Sequence, residues 1–161
     1  MQRLLFICSG NICRSPTAEG VMHSLIAEAG LEDQIEVDSA GIGGWHAGER
    51  ADPRSREAAA RRGIEITSIA RQVTAADLDE FDLVLAADRG HRRDLLRLAG
   101  SDPDRRQRIR MLREFEPASE PDDLDVPDPY YGGPDGFDNV LDMVQAACRG
   151  LLRELRASGG L

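Results

Sequence analysis

Lysine is absent: all 20 basic side chains among the 161 residues are arginine, set against 29 acidic ones for a net charge of −9. Codon bias in a GC-rich genome produces such a complement, so arginine abundance alone says nothing of function. The acidic balance excludes a protein that works by neutralising a nucleic-acid backbone, which needs a basic face. It leaves room for one small, locally positive anion pocket. Cysteine is scarce and odd in number (Cys8, Cys13, Cys148), which excludes a disulfide scaffold and fits a cytoplasmic protein. The three histidines, at 23, 46 and 91, lack metal-ligand spacing, so no metal and no cofactor are expected. No apolar run approaches the about 18 residues of a membrane span. The stretch Leu4–Cys8 is too short for a signal-peptide core. Aromatics are only 4% of the chain, so where they fall carries information.

Apolar residues make up 41%, enough for the core of one domain spanning residues 1–161. Leu4–Ile7 reads as a short buried strand that breaks at Gly10-Asn11. Ser15-Pro16 has the form of a helix start, a capping hydroxyl followed by proline. That helix runs to about Glu28, with Ala18, Val21, Met22, Leu25 and Ile26 inward and Gly30 ending it. Ile35–Ala40 reads as a second strand, Asp52-Pro53 opens a helix that ends at Gly63, and Phe81–Ala86 is a third strand. A helix follows near His91–Ala99, then a fourth strand over Arg108–Leu112. The segment from Glu114 to Gly136 is a long Pro, Asp and Gly loop. The closing helix, Phe137–Leu155, places Leu141, Val144, Cys148, Leu151, Leu152 and Leu155 at helical spacing. Strands alternating with helices predict an α/β fold with a parallel sheet covered on both faces. Ligands of such folds sit beyond the carboxyl ends of the strands.

The segment just past the first strand reads Cys8-Ser9-Gly10-Asn11-Ile12-Cys13-Arg14-Ser15. It is a strand, a turn whose Gly and Asn tolerate positive φ, and then a helix N-terminus. Successive backbone N–H groups in such a turn form an anion nest, and the helix dipole adds positive potential. The triphosphate-loop pattern G-x-x-x-x-G-K-[ST] is missing. Cys8 stands where the nest, the dipole and Arg14 all favour a thiolate. Arg14, six positions on, returns across the loop with a planar fork suited to two phosphoryl oxygens. The Ser15 hydroxyl is placed to stabilise a departing sulfur. A buried structural thiol beside a surface arginine is the plainer alternative for either residue alone, but not for the pair in this setting.

The string F-I-C-S-G-N-I-C-R-S-P-T-A-E resembles the signature of the low-molecular-weight protein tyrosine phosphatases. Val37-Asp38-Ser39-Ala40-Gly41, Trp45-His46, Ala70-Arg71-Gln72-Val73-Thr74 and Asp128-Pro129-Tyr130-Tyr131-Gly132 extend the likeness over nearly the whole chain. The resemblance implies a three-layer αβα fold around a four-stranded parallel sheet, with the phosphate-binding loop after the first strand. It implies Cys8 as nucleophile, Arg14 as the phosphate-binding arginine and Asp128 as general acid. Ser9, Gly10, Asn11, Ile12, Cys13 and Ser15 would form the loop, with Asn11 and Ser39 holding its shape. Cys13 is either a filler thiol or a reversible partner for an oxidised Cys8, and the resemblance favours the second. Where relatives often carry a histidine, before Ile69-Ala70-Arg71-Gln72, this chain has Ser68.

Phosphoryl transfer also asks for a proton donor to the leaving oxygen and a base for the incoming water, roles one carboxyl group can fill in turn. Asp128 lies between two prolines that stiffen its backbone. Asp122, Asp123, Asp125, Asp135 and Asp138 are nearby, and only the resemblance selects Asp128 among them. Trp45, Tyr130 and Tyr131 fall in loops rather than on periodic faces, as walls for a phosphotyrosyl ring would. The expected partners are tyrosine-phosphorylated proteins or peptides, with inorganic phosphate as product, and the expected state is a monomer. Three alternatives stand beside this one. Arginine phosphatases resemble the chain but carry Thr where Ile12 stands. Arsenate reductase chemistry needs a further cysteine pair. A phosphate-binding module without turnover would need a distorted site.

Overall fold

Leu4 to Cys8 are each almost wholly buried, as a strand covered on both faces must be. In this computed structural model the described residues are 1–117, 119–133 and 135–159, and the side chain of Tyr131 lies outside them. The buried run belongs to β1 (Gln2–Cys8), which is central in the sheet order β2-β1-β3-β4. Its neighbours β2 (Ile35–Gly41) and β3 (Leu83–Ala86) pair with it in parallel, and β4 (Ile109–Met111) pairs in parallel with β3.

The two-residue period of β1 splits its side chains between two cores. Leu4, Phe6 and Cys8 pack with α1 (Arg14–Ala29), α2 (Pro53–Ala60) and α6 (Gly136–Ala157). Leu5 and Ile7 pack with α3 (Asp77–Glu80) and α4 (Arg89–Ala99), and α5 (Pro103–Arg108) lies outside these. Helices thus cover both faces of the sheet, giving the three layers expected. Ala18, Val21, Met22 and Ile26 form the buried stripe of α1, and Gly30 ends that helix at φ 68°. Leu141, Val144, Cys148 and Leu151 do the same along α6.

The elements differ from the sequence reading in several places, the second helix, for example, ending at Ala60 rather than Gly63. The first helix begins at Arg14, with no side-chain cap, because the Ser15 hydroxyl is engaged at Cys8 and Asn11 instead. The third strand starts at Leu83, since Phe81 closes the short α3. Arg108 ends α5, which buries no residue and so leaves no apolar period to read. The segment after Glu114 is not wholly irregular: Leu112–Phe115 and Pro129–Tyr131 form single 3₁₀ turns.

The chain turns tightly where β1 ends. Ile42 N–H donates to the Cys8 carbonyl at 2.9 Å and Gly43 N–H to the Ser9 carbonyl at 3.0 Å. Gly41 permits this approach, because a Cβ there would lie 2.9 Å from the Ser9 oxygen and 3.0 Å from the Gly43 oxygen.

Candidate active site

Asn11 holds the loop in shape. It sits in the left-handed region at φ 60°, which asparagine tolerates better than other residues with a Cβ. Its buried amide donates to Ser15 Oγ at 2.8 Å and Ser39 Oγ at 2.9 Å, and its carbonyl accepts from Arg71 N–H at 3.0 Å. Ser39 in turn donates to Glu19 Oε1 at 2.6 Å. Since Ser15 Oγ accepts from Asn11, its own proton is left for Cys8 Sγ, 3.0 Å away. A relay thus runs from the Glu19 carboxylate through two serines and an asparagine to the sulfur. Among the described residues, the backbone N–H groups of Ser9 to Cys13 donate to no protein acceptor.

Arg14 is buried, and its guanidinium is braced on one side. Nη1 donates to Asp88 Oδ2 at 2.8 Å and to the Val126 carbonyl at 2.9 Å, which uses both of its protons. Nε and Nη2 remain for a ligand. Nη2 lies 3.4 Å from Ser9 Oγ and 3.8 Å from Asp128 Oδ2. The carboxyl of Asp88 is held below the ordinary range: its burial opposes this, but the His91 N–H and the charge of Arg14 outweigh burial.

His91 closes this cluster. Its Nε2 is 2.8 Å from Ser9 Oγ and 3.5 Å from Arg14 Nη2. Arginine only donates, so Nε2 carries the lone pair and the proton sits on Nδ1. Nδ1 lies 3.2 Å from Asp88 Oδ1 but lacks hydrogen-bond geometry there. Burial, helped by Arg14, pushes the imidazole down to about 4 against the pull of Asp88.

Above the loop opens a cleft of about 400 Å³ lined by Cys8, Ser9, Gly10, Ile12, Cys13, Arg14, Trp45, His46, Asp128 and Tyr130. Residues from the end of β1, the loop that follows it, the start of α1, the loop after β2 and the 3₁₀ turn before α6 therefore share one opening. Asp128 caps that turn by accepting from Tyr130 N–H at 3.0 Å. Trp45 is 73% exposed and packs under no helix. The Arg54 guanidinium stands 5.1 Å from the centre of the Tyr130 ring, within cation–π range. The Tyr131 side chain lies outside the described residues. The Cys13 thiol is driven up to about 12 by burial.

Sequence reasoning missed Asp88, His91, Glu19 and the Val126 carbonyl. Glu19 carried a faint signal, standing one helical turn beyond Ser15. Asp88 and His91 carried the three-residue spacing of a helix cap. Ser68, which stands where relatives often carry a histidine, has a buried hydroxyl with no partner among the described residues. Among the described residues no group of three or more His, Cys, Asp or Glu is placed to hold a metal. None of the described helices is long and apolar enough to cross a membrane.

Comparison with known proteins bears on this geometry. The model of the low molecular weight phosphotyrosine protein phosphatase family matches residues 3–159. A low molecular weight protein-tyrosine-phosphatase of Streptomyces coelicolor is 50% identical over 96% of this chain and 93% of its own. The crystal structure of a protein tyrosine phosphatase from Entamoeba histolytica superposes with a TM-score of 0.92 at 37% identity, covering 99% of both chains. An arginine phosphatase of Drosophila superposes with a TM-score of 0.85 at 28% identity, over 96% of this chain and 97% of its own. The whole-chain matches define a phosphotyrosine phosphatase fold. The chain belongs to the low molecular weight phosphotyrosine protein phosphatase family.

Proposed function

We propose that this single domain removes phosphate from tyrosine in proteins or peptides through a cysteinyl-phosphate formed on Cys8. The observation that carries the reading is the cleft itself, which gathers Cys8, Arg14 and Asp128 around one opening. Cys8 Sγ attacks phosphorus as the bond to the phenolic oxygen breaks, and Asp128 gives that oxygen its proton. Water then attacks the phosphorus with Asp128 as base. The S–P bond breaks toward a thiolate that accepts a hydrogen bond from the Ser15 hydroxyl, and inorganic phosphate leaves. The loop N–H groups and the Nε and Nη2 edge of Arg14 receive the equatorial oxygens, whose charge they stabilise most in the transition state. For Nη2 this means exchanging its distant contacts with Ser9 and Asp128 for the phosphoryl group. Trp45 and Tyr130 flank a buried sulfur, so a long aromatic ester reaches it more readily than a serine or threonine phosphate. The reading needs no metal or cofactor and no second subunit, and a cytoplasmic monomer is its natural form.

The test is turnover of an aryl phosphate and a phosphotyrosyl peptide in the presence of a chelator. Cys8→Ser is expected to abolish it, and Asp128→Ala to slow it most for poor leaving groups. Turnover surviving Cys8→Ser refutes the mechanism. The likeness to an arginine phosphatase makes phosphoarginine the necessary comparison substrate. Ile12 in the loop and Tyr130 at its rim favour the aryl ester.

A further inference from the structure

A second concave surface lies along α4. Arg89, Arg92, Arg93, Arg97 and Arg106 line a groove of about 500 Å³ with Leu96 at its floor, and no acidic side chain lines it. Five cations in one groove stand out in a chain whose net charge is −9. Arg89 pairs with Asp125 at 3.2 Å, Arg97 approaches Asp94 at 3.7 Å, and Arg106 donates to the Leu96 and Gly100 carbonyls. Arg92 and Arg93 have no ion-pair partner among the described residues. The N-terminal end of α4 abuts residues of the catalytic cleft. Asp88, the cap of α4, and His91, in its first turn, reach Arg14 and Ser9, and the partner of Arg89 stands three residues before Asp128.

We infer that this groove docks an acidic stretch of the same phosphoprotein whose phosphotyrosine enters the cleft, an inference that rests on the proposed phosphatase activity. Arg89 to Arg97 spans roughly 12 Å of helix axis at about 1.5 Å per residue. That length matches about four residues of extended chain. The preferred substrate therefore carries several Asp or Glu side chains within a few residues of its phosphotyrosine. Carboxylates fit the unpaired guanidinium forks of Arg92 and Arg93. A cationic groove with low-dielectric walls also concentrates an anionic segment locally despite the negative charge of the whole protein.

The experiment compares a phosphotyrosyl peptide bearing three Asp or Glu residues beside the phosphotyrosine with its Asn and Gln counterpart, the acidic residues being placed on either side in turn. The wild-type protein is expected to favour one acidic peptide about tenfold in kcat/KM at low salt, with the preference fading in high salt. Arg92→Glu with Arg93→Glu should remove the preference while leaving the neutral peptide and a small aryl phosphate within about twofold, and the double alanine variant should fall between. Equal rates on acidic and neutral peptides, or a preference that survives both double variants, overturn the inference. So does an equal loss on the aryl phosphate. Fluorescence anisotropy of both peptides on Cys8→Ser reads the groove without turnover. A wild-type protein idle on every aryl phosphate would refute the phosphatase reading, while the anisotropy ratio still decides the groove. An oligonucleotide that competes at lower concentration than the acidic peptide would overturn the choice of a peptide partner.

Discussion

Lowering the pH from 7.5 to 5 is expected to remove about 2 kcal/mol of folding stability through His91. In the unfolded chain this imidazole titrates at its ordinary value of 6.5, and in the fold it is held down to about 4. Burial is the largest cause and Arg14 adds to it, while Asp88, Asp94 and Asp128 pull the other way without prevailing. A folded-state value below the unfolded one means that the unfolded chain takes up the proton first. The contribution is therefore complete above about pH 6.5, declines as the pH falls toward 4, and is then exhausted. Over the whole window, at about 1.36 kcal/mol per unit, it amounts to roughly 3 kcal/mol, of which about two-thirds is gone by pH 5. Asp52, Asp77 and Asp88 are also held below their ordinary value of 3.8, against the opposing effect of their burial. Their stabilising contribution is intact above that value and is lost only below it, so the two windows separate. Urea denaturation at pH 7.5, 6 and 5 reads the effect as a midpoint shift of about 1 M for a slope near 2 kcal/mol/M. His91→Gln keeps a polar atom near Ser9 but cannot charge, and should flatten the profile by the same amount. A wild-type protein and a His91→Gln variant with the same dependence on pH would refute the reasoning.

Three substitutions probe the supports of the site. Asn11→Ala removes two buried hydrogen bonds of 2.8 and 2.9 Å and a part-buried one of 3.0 Å, and leaves a Cβ residue at φ 60°. At about 1 kcal/mol per bond and about 1 for the backbone, a loss near 4 kcal/mol is expected, with a lower Tm and slower turnover; a variant unchanged in both refutes the loop's dependence on this side chain. Gly150→Ala would drive a Cβ into the Phe115 carbonyl oxygen, so α6 must shift, at a cost of about 3 kcal/mol read by thermal denaturation. A Tm equal to wild type would refute that contact. Gly43→Ala would place a Cβ against the Trp45 ring, which must swing away. Because Trp45 is the sole tryptophan, its emission reports the movement directly, and weaker binding of an aryl phosphate should accompany it. An unchanged spectrum refutes the packing.

The parts of this structure that burial decides were legible in the residues. Five consecutive apolar side chains that stop at a Gly-Asn turn read as a strand covered on both sides, and the spacing of Leu141, Val144, Cys148 and Leu151 reads as one buried stripe of a helix. Burial pattern does not, however, say which partner a polar side chain chooses. Ser15 has the composition of a helix cap, and the alternative that prevails, the sulfur of Cys8, lies 7 residues back across the turn. His91 looks like an isolated histidine on a surface helix until the sheet order sets α4 beside the loop after β1, bringing it to a serine 82 positions away. Asp128 had five acidic neighbours and no period to single it out. The fold separates some of them: Asp125 turns to Arg89 and Asp123 toward Arg113, while Asp128 alone of these approaches Arg14. The polar groups of the site come from the ends of β1, β2 and β3, the segments that follow them and the segment after β4. A parallel sheet brings these ends to one edge, where backbone N–H groups, side chains and helix termini meet. The local sequence therefore specifies the elements, and the topology supplies the partners. That division places the least legible residues, Asp88 and His91, in direct contact with the most legible ones, Arg14 and Ser9.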